Sequence, residues 1–536
     1  MLTLLHLGLA FKVPDLDAYV RIEILSAKDN TTLLACIETQ LSNGVTIEVG
    51  AVSWVTAFLA GGALLWAMFV ISGSNPTVHY YHLTTAKFAT YSLAFFTFLQ
   101  NQALIGMTSV PLPPIVSSWT QNLSWATGVI ETAFLQNFFH WYVMATGGVR
   151  SALFNEIAVT SVLVQKRDLG FLQDGAEKVT GLARRAWGRE SNALGLIANP
   201  FEKRSNTAST LSNLDSQSSE EVVDPSSYKH ITVKGIERVA FKANIEQTNL
   251  FLTAYSSYII FALLVIVLFL AFTAIVKFMA KKRIATMEHR LPIFRKYWKG
   301  TLQKLAICII ILGYPSIIAL SLWEFTMKDS PALVVLAVVI FLTMVGSMGL
   351  TIFRLYTVLR RTGVMPFSYS GPLARFATKG IEREKPAFTS WRDSDPNLSE
   401  SKATASRDLK QFSILTVPYR RAGVYWVLPL YIFIFTKSAL VGLSQQHLYN
   451  APNDSSDNVG TVKGIAQAIG FLVIDLLWLI GVAWVKPWMD RPTNVLGITG
   501  AVIGLINAVC LLIFTEAISS QAVSGIFHHW AIDFPS

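Results

Sequence analysis

Eight stretches of this chain are apolar for about twenty residues, the length a helix needs to cross a bilayer. They cover residues 51–71, 88–107, 250–276, 305–323, 332–353, 424–443, 465–485 and 495–514. In hydrocarbon every backbone N–H and C=O must be satisfied within the segment, so each stretch is read as a helix. The predicted fold class is an all-α polytopic membrane protein with about eight transmembrane helices. The function is then to be sought in transport, sensing or lipid handling.

Composition agrees. The 536 residues are 52% hydrophobic and only 15% charged, where a soluble domain carries about 25% charged residues. The net charge of +10 is concentrated in loops between spans, so it signals orientation and contact with anionic lipid headgroups, with no nucleic-acid partner. One such loop holds Lys277, Lys281, Lys282, Arg283, Arg290, Arg295, Lys296, Lys299 and Lys304 against Glu288. A second holds Arg354, Arg360, Arg361, Arg375, Lys379, Arg383, Lys385, Arg420 and Arg421. Both are predicted to be cytosolic. Residues 444–463 and 109–249 then face the lumen or the cell exterior. On that side fall the glycosylation sequons at Asn30, Asn122 and Asn453.

Residues 13–50 read as the end of a β domain. Val20, Ile22 and Ile24 alternate with Arg21 and Glu23, and Val45, Ile47 and Val49 alternate with Thr46 and Glu48, around a hairpin signal at Asn43-Gly44. Three short strands do not stand alone, so these residues are read as the remnant of a larger domain. The segment 115–144 is apolar and aromatic but also carries Gln121, Asn122, Glu131, Gln136, Asn137 and His140. It is read as re-entrant or lying on the membrane surface, with Trp119, Trp125, Trp141 and Tyr142 at the interface. Residues 203–228 are polar and read as a flexible connector. The expected organisation is 1–50, β remnant; 51–108, first transmembrane hairpin; 109–249, the re-entrant segment and connector; 250–353, helices three to five; 354–423, cytosolic loop; 424–515, helices six to eight; 516–536, C-terminal tail.

No Walker loop, dinucleotide fingerprint, zincin motif or Cys/His zinc spacing occurs, so the chain is read as no enzyme, with no catalytic residue, no metal and no prosthetic group. Of the three cysteines, Cys308 and Cys510 lie in spans and are read as packing residues. Ionisable residues inside spans are costly and mark function. The transport-path candidates are Lys437 and Asp475, with Glu131 a weaker third. Lys437 and Asp475 lie on helices joined by one short loop, at axial depths differing by roughly 6 Å, so they are expected to pair. Asp454 and Asp457 are candidates for a pore mouth. Gly497, Gly500 and Gly504, followed by Ala508, form a small-residue stripe for helix packing, within the chain or in a homo-oligomer.

Several motifs are more specific. Residues 105–116 (IGMTSVPLPPIV), 118–122 (SWTQN), Trp141-Tyr142 and 145–148 (ATGG) closely resemble the fungal flavin carrier family, TRP-like proteins distantly similar to polycystin channels. Residues 235–241 (GIERVAF), 248–253 (TNLFLT) and 488–495 (WMDRPTNV) resemble its later motifs. Residues 13–17 (VPDLD) and 40–44 (QLSNG) resemble the end of its luminal ML-like β domain. The resemblance implies a signal peptide, a complete disulfide-bearing ML-like domain and a further helix and tail in the family. On that basis the chain is expected to be truncated at both ends, with Cys36 parted from its partner and stability impaired. It also implies an integral protein of the endoplasmic reticulum or plasma membrane. Its implied role is to carry FAD, as transported substrate, into the reticulum, with a part in cell-wall maintenance. The channel-like relatives imply calcium or other cation permeation as the alternative, and a lipid-sensing scaffold is the non-transport alternative.

Overall fold

The computed structural model describes residues 14–15, 17–25, 33–42, 45–73, 79–148, 161–162, 230–231, 234–281, 292–361, 412–416, 419, 422–445, 455–488 and 491–515. Two compact units divide the chain. The smaller, Tyr19–Thr39 with Ile157–Thr232, contains most of a two-stranded sheet, β1 (Asp17–Leu25) and β2 (Leu33–Ser42). It also contains the short parallel pair β3 (Ser161–Val162) and β4 (His230–Ile231), with Ser161 opposite His230.

The larger unit is helical. In order it contains α1 (Gly50–Gly73), α2 (His79–Gly106), α3 (Pro114–Gln121), α4 (Ala133–Ala145), α5 (Gly235–Lys242), α6 (Leu250–Lys281), α7 (Pro292–Met327), α8 (Pro331–Arg361), α9 (Ser413–Thr416), α10 (Val427–Leu443), α11 (Ser455–Val485) and α12 (Arg491–Ile513). Short 3-10 turns sit at Ser124–Thr127, Gln247–Asn249 and Ala422–Trp426. Seven of these helices are long and apolar enough to cross a membrane, and all eight expected stretches are helical. The one outside the seven is α2, whose described part is diluted by Gln100, Asn101 and Gln102.

Helix α7 is the axis of the bundle. In its most apolar window 89% of residues are buried, against 17–39% for the other six. Helices α6, α8 and α10 pack around it. The outward faces of the others, with Phe58, Val335, Leu477 and Val495 exposed, would be a liability in water and suit lipid. Threonines inside the spans hide their hydroxyls on the carbonyl four residues back, as Thr97 does to Leu93 and Thr343 to Val339. Two close approaches fix α7 against its neighbours. Gly313 faces the ring of Tyr258, and Gly442 lies against the Ala319 carbonyl. Pro315 interrupts α7 and has no N–H for the carbonyl of Ile311. Beside it the Gln100 amide donates to Leu312 O (3.0 Å) and to the Ser316 hydroxyl (2.5 Å).

The segment 107–148 does not cross. Helix α3 has eight residues and α4 has 13, at most about 20 Å of helix. Both remain at the end of the bundle where α2 stops and α6 begins. That end, with α5 and the Gln247–Asn249 turn, is here termed the cap. Basic Lys277, Arg354, Arg360 and Arg361 lie toward the opposite end. Residues 45–49 are not the expected strand. They form an irregular strap leading into α1, because the Asp15 carboxylate takes the Ile47 amide and the Asn122 amide takes the Ile47 carbonyl.

Candidate functional site

The two charged residues expected to meet inside the membrane do meet. Lys437 Nζ lies 2.9 and 3.0 Å from the two carboxylate oxygens of Asp475, joining α10 to α11. Both are sealed from solvent, with side chains 8% and 3% exposed. The ammonium also lies 5.2 Å from the ring centroids of both Phe433 and Phe471, and Phe433 stacks on Trp478 at 4.5 Å. Ring faces carry negative potential, so they help replace the water the ammonium has lost. A third helix closes the site: a Cβ on Gly504 of α12 would lie 3.3 Å from Asp475 Oδ1. The pair is therefore enclosed by α10, α11 and α12, with the charge of each group balanced by the other.

The small-residue stripe on α12 divides accordingly. Gly504 and Ala508 face inward, and Gly497 receives the ring of Trp488. Gly500 is exposed, and no described residue lies within 4 Å of a methyl added there. Helical spacing of 3.6 residues puts Gly497, Gly504 and Ala508 within about 40° of one another, with Gly500 at the exposed edge of the same stripe.

Three other candidates move. Glu131 is exposed and accepts from Asn244 Nδ2 (2.9 Å), so it lies on the surface of the cap and not on a path through the bundle. Asn122 is 1% exposed and donates to Ile47 O (2.9 Å). A glycan has no room on it, and the sequon is a packing residue. Trp125, expected at the interface, is turned inward, donating to Thr56 Oγ1 and meeting the edge of Phe96. Trp119 and Trp141 remain exposed. Asp457 falls on the first turn of α11. Asn30, Asn453 and Asp454 lie outside the described residues.

The motif at 105–116 proves to be a polar knot at the cap. Gly106 O accepts from Arg238 Nη2 (2.6 Å) and Met107 O accepts from Gln445 Nε2 (2.7 Å). Gln467 Oε1 takes the Ser109 amide (2.8 Å), and the Ser109 hydroxyl donates to Ser444 O (2.6 Å). The Oε1 of Gln445 accepts the Ile236 amide (3.2 Å). Irregular backbone inside a bundle needs such partners, because no water replaces them. Thus α2, α5, α10 and α11 are tied through one stretch of chain. Nearby, Lys242 Nζ pairs with Glu48 at 3.2 Å. Burial lowers the Lys242 pKa, opposed by the Glu48 carboxylate, and burial lowers that of Arg238 to about 10. Sequence reading assigned Glu237 and Arg238 no role beyond the 235–241 motif and did not single out Lys242, since an eight-residue helix has too little periodicity to show which of its charges are buried.

The motif at 488–495 closes the opposite end. Asn494 and Trp488 exchange bonds, Asn494 Nδ2 to Trp488 O (2.7 Å) and Trp488 N to Asn494 Oδ1 (3.3 Å). Tyr419 pairs and stacks with Trp488, and Gly423 packs on the Pro487 carbonyl.

The family model described as transient receptor potential (TRP) ion channel matches residues 52–528, and that of the ML-like domain matches residues 7–47. Flavin carrier protein 2 of Saccharomyces cerevisiae is 31% identical over 529 residues, which are 96% of this chain and 56% of that protein. Flavin carrier protein 1 of the same yeast is 27% identical, covering 97% of this chain and 54% of its own length. TRP-like ion channel pkd2 of Schizosaccharomyces pombe is 27% identical, covering 97% and 61%. The chain thus spans little more than half the length of these relatives. No solved structure matches. With the family model running across nearly the whole helical bundle, this chain belongs to the transient receptor potential (TRP) ion channel family, begins in an ML-like domain and is an integral membrane protein.

Proposed function

We propose that this chain is the membrane portion of a transport protein that moves a charged solute across the endoplasmic reticulum or plasma membrane, with FAD as the first candidate. The observation that carries transport is the sealed Lys437–Asp475 pair. Charges at mid-membrane are expensive and are kept where they face a path or couple moving helices. FAD as cargo is supported by the relatives named flavin carriers, and the cell-wall role implied by the sequence motifs would follow from that delivery. The flat rings of Phe433 and Trp478 beside a lysine suit a planar, anionic dinucleotide.

A second reading, cation conduction, is favoured by a different observation. Acids at the cap, Glu237 and Glu324 buried and Asp329 half-buried, lack a bonded base among the described residues, and the membrane-embedded Lys437 is already neutralised. Where such acids ionise, they repel a dinucleotide and attract cations. The direct test is a full-length version in sealed liposomes, with FAD uptake and calcium flux measured in parallel. Saturable FAD uptake supports the first reading, calcium flux alone supports the second, and silence in both removes transport and leaves a scaffold.

The basic end is proposed to face the cytosol, following the positive-inside rule. A cysteine introduced at exposed Ile130 on the cap should react with an impermeant maleimide from the luminal or external side only. Labelling from the cytosol would invert the whole orientation.

A further inference from the structure

Three carboxyl groups lie at the cap, two at the end of α7 and one on α5, with Gln247 bridging α5 to Met327 of α7. Glu237 comes from α5 and is 3% exposed. Asp329 sits in the turn between α7 and α8, just after Lys328, whose φ is 58°. Glu324 lies on the last turn of α7 and is fully buried, facing the Asp329 backbone amide, yet neither of its oxygens makes a hydrogen bond of good geometry. Glu237 Oε2 and Asp329 Oδ2 are also without partners. A neutral donor bonds the group: Gln247 Nε2 donates to Glu237 Oε1 (3.0 Å) and touches Met327 Sδ (3.8 Å), bridging the 247–249 turn to the end of α7.

Among the described residues the surrounding charges do not neutralise these acids. On α5, Arg238 is turned to Gly106 O and Lys242 to Glu48. From the segment before α6, Glu246 adds a further negative charge near Asp329 and is itself bonded to His140 of α4 (3.2 Å). From α10, the neutral Gln445 reaches the amide of Ile236. Among the described residues no three acidic, His or Cys side chains converge closely enough to hold a metal ion. Two buried carboxylates and a half-buried one, without a bonded cation among the described residues, cannot all stay ionised, because each would forfeit hydration and repel the others. The remaining way to satisfy them is a proton.

We propose that Glu237, Asp329 and Glu324 form a proton-held clasp: protonated, they let α5 and the Gln247–Asn249 turn close on the α7–α8 turn, and ionised, they push these elements apart. Lys242 of the same helix α5 pairs with Glu48 of the strap that leads into α1, so the clasp couples the acidity of the compartment outside the cap to the packing of the membrane helices. It stands independently of which solute is carried. Burial, reinforced by Asp329, raises the Glu237 pKa to about 8, and burial, reinforced by Glu246, raises that of Asp329 to about 6. In the unfolded chain these groups titrate near 4.5 and 3.8. Across the window from those values up to about 8 the folded state therefore binds more protons than the unfolded state. Stability must fall as pH rises through that window and level off above it.

The test uses the purified full chain in lipid nanodiscs, parent against the triple variant Glu237→Gln, Glu324→Gln, Asp329→Asn. The parent should show infrared carbonyl bands of protonated carboxyls at neutral pH, and its melting temperature should fall between pH about 6 and about 8. The triple variant should lose those bands and melt at a temperature independent of pH in that window. If the triple variant does not fold, Glu324→Gln alone must remove one carboxyl band and flatten part of the slope. Bands and slope unchanged by the substitutions overturn the clasp. A calcium-dependent rise in melting temperature that the parent shows and the triple variant loses also overturns it, in favour of a divalent cation.

Discussion

Lys437→Met alone is expected to cost the folded protein about 3–5 kcal/mol, because it leaves Asp475 ionised and unpaired in a dry site. Asp475→Leu alone should do the same to Lys437. The double variant should recover most of that loss, since two apolar side chains of similar volume pack where the pair stood between α10, α11 and α12. Flux should separate the structural part from the functional part. If the pair serves transport, the double variant folds like the parent but does not move FAD or calcium. Monodispersity, melting temperature and flux measured on both singles and the double decide it. Singles that fold and transport like the parent would show that the two charges are uncoupled.

Gly442→Ala should be nearly as damaging, against the usual trend. Replacing glycine by alanine inside a helix ordinarily stabilises it by about 0.5–1 kcal/mol. At Gly442 the added methyl would strike the Ala319 carbonyl oxygen and lie 2.9 Å from Leu322 Cβ and 3.1 Å from the Trp323 nitrogen. Two of these are backbone atoms of the central helix and cannot swing aside. Overpacking of this kind costs about 1–3 kcal/mol. Gly346→Ala on α8 supplies the contrast, since nothing lies within 4 Å of its added methyl. Thermal unfolding in one detergent should lower the melting temperature for Gly442→Ala and hold or raise it for Gly346→Ala. Equal behaviour would mean that α7 and α10 are not held at this separation in solution.

The spans were legible because hydrocarbon imposes a single demand on twenty consecutive residues. The meeting of Lys437 and Asp475 was legible too, since two short-linked helices with charges at similar depth leave few other partners. Periodicity could not show which way a residue turns at the ends of the helices. Trp119 and Trp125 both read as interfacial, yet only the indole of Trp125 finds Thr56 and goes inward. Glu324 escaped notice because the apolar run ends one residue before it, at Trp323, while the helix continues to Met327. The buried charges of α5 were not legible, because an eight-residue helix has too little periodicity to reveal that both its faces are covered. Asn122 matched a sequon, but the pattern N-x-S/T says nothing about the backbone that claims its amide.

The bond from Gln100 beside Pro315 bears on how the molecule is made. Helix α7 is the most enclosed of the set, and it carries a proline gap whose neighbouring carbonyl and hydroxyl are served from α2, more than two hundred positions earlier in the chain. During synthesis α7 therefore arrives when its polar partner is already in the bilayer. Until the two dock, the gap stays exposed to lipid. Assembly has a built-in order, with the first hairpin as the waiting half of a joint and the central helix as the late half. A newly made chain in which α2 is slow to settle would be held at that step, open to the cell's quality control, before any solute could cross.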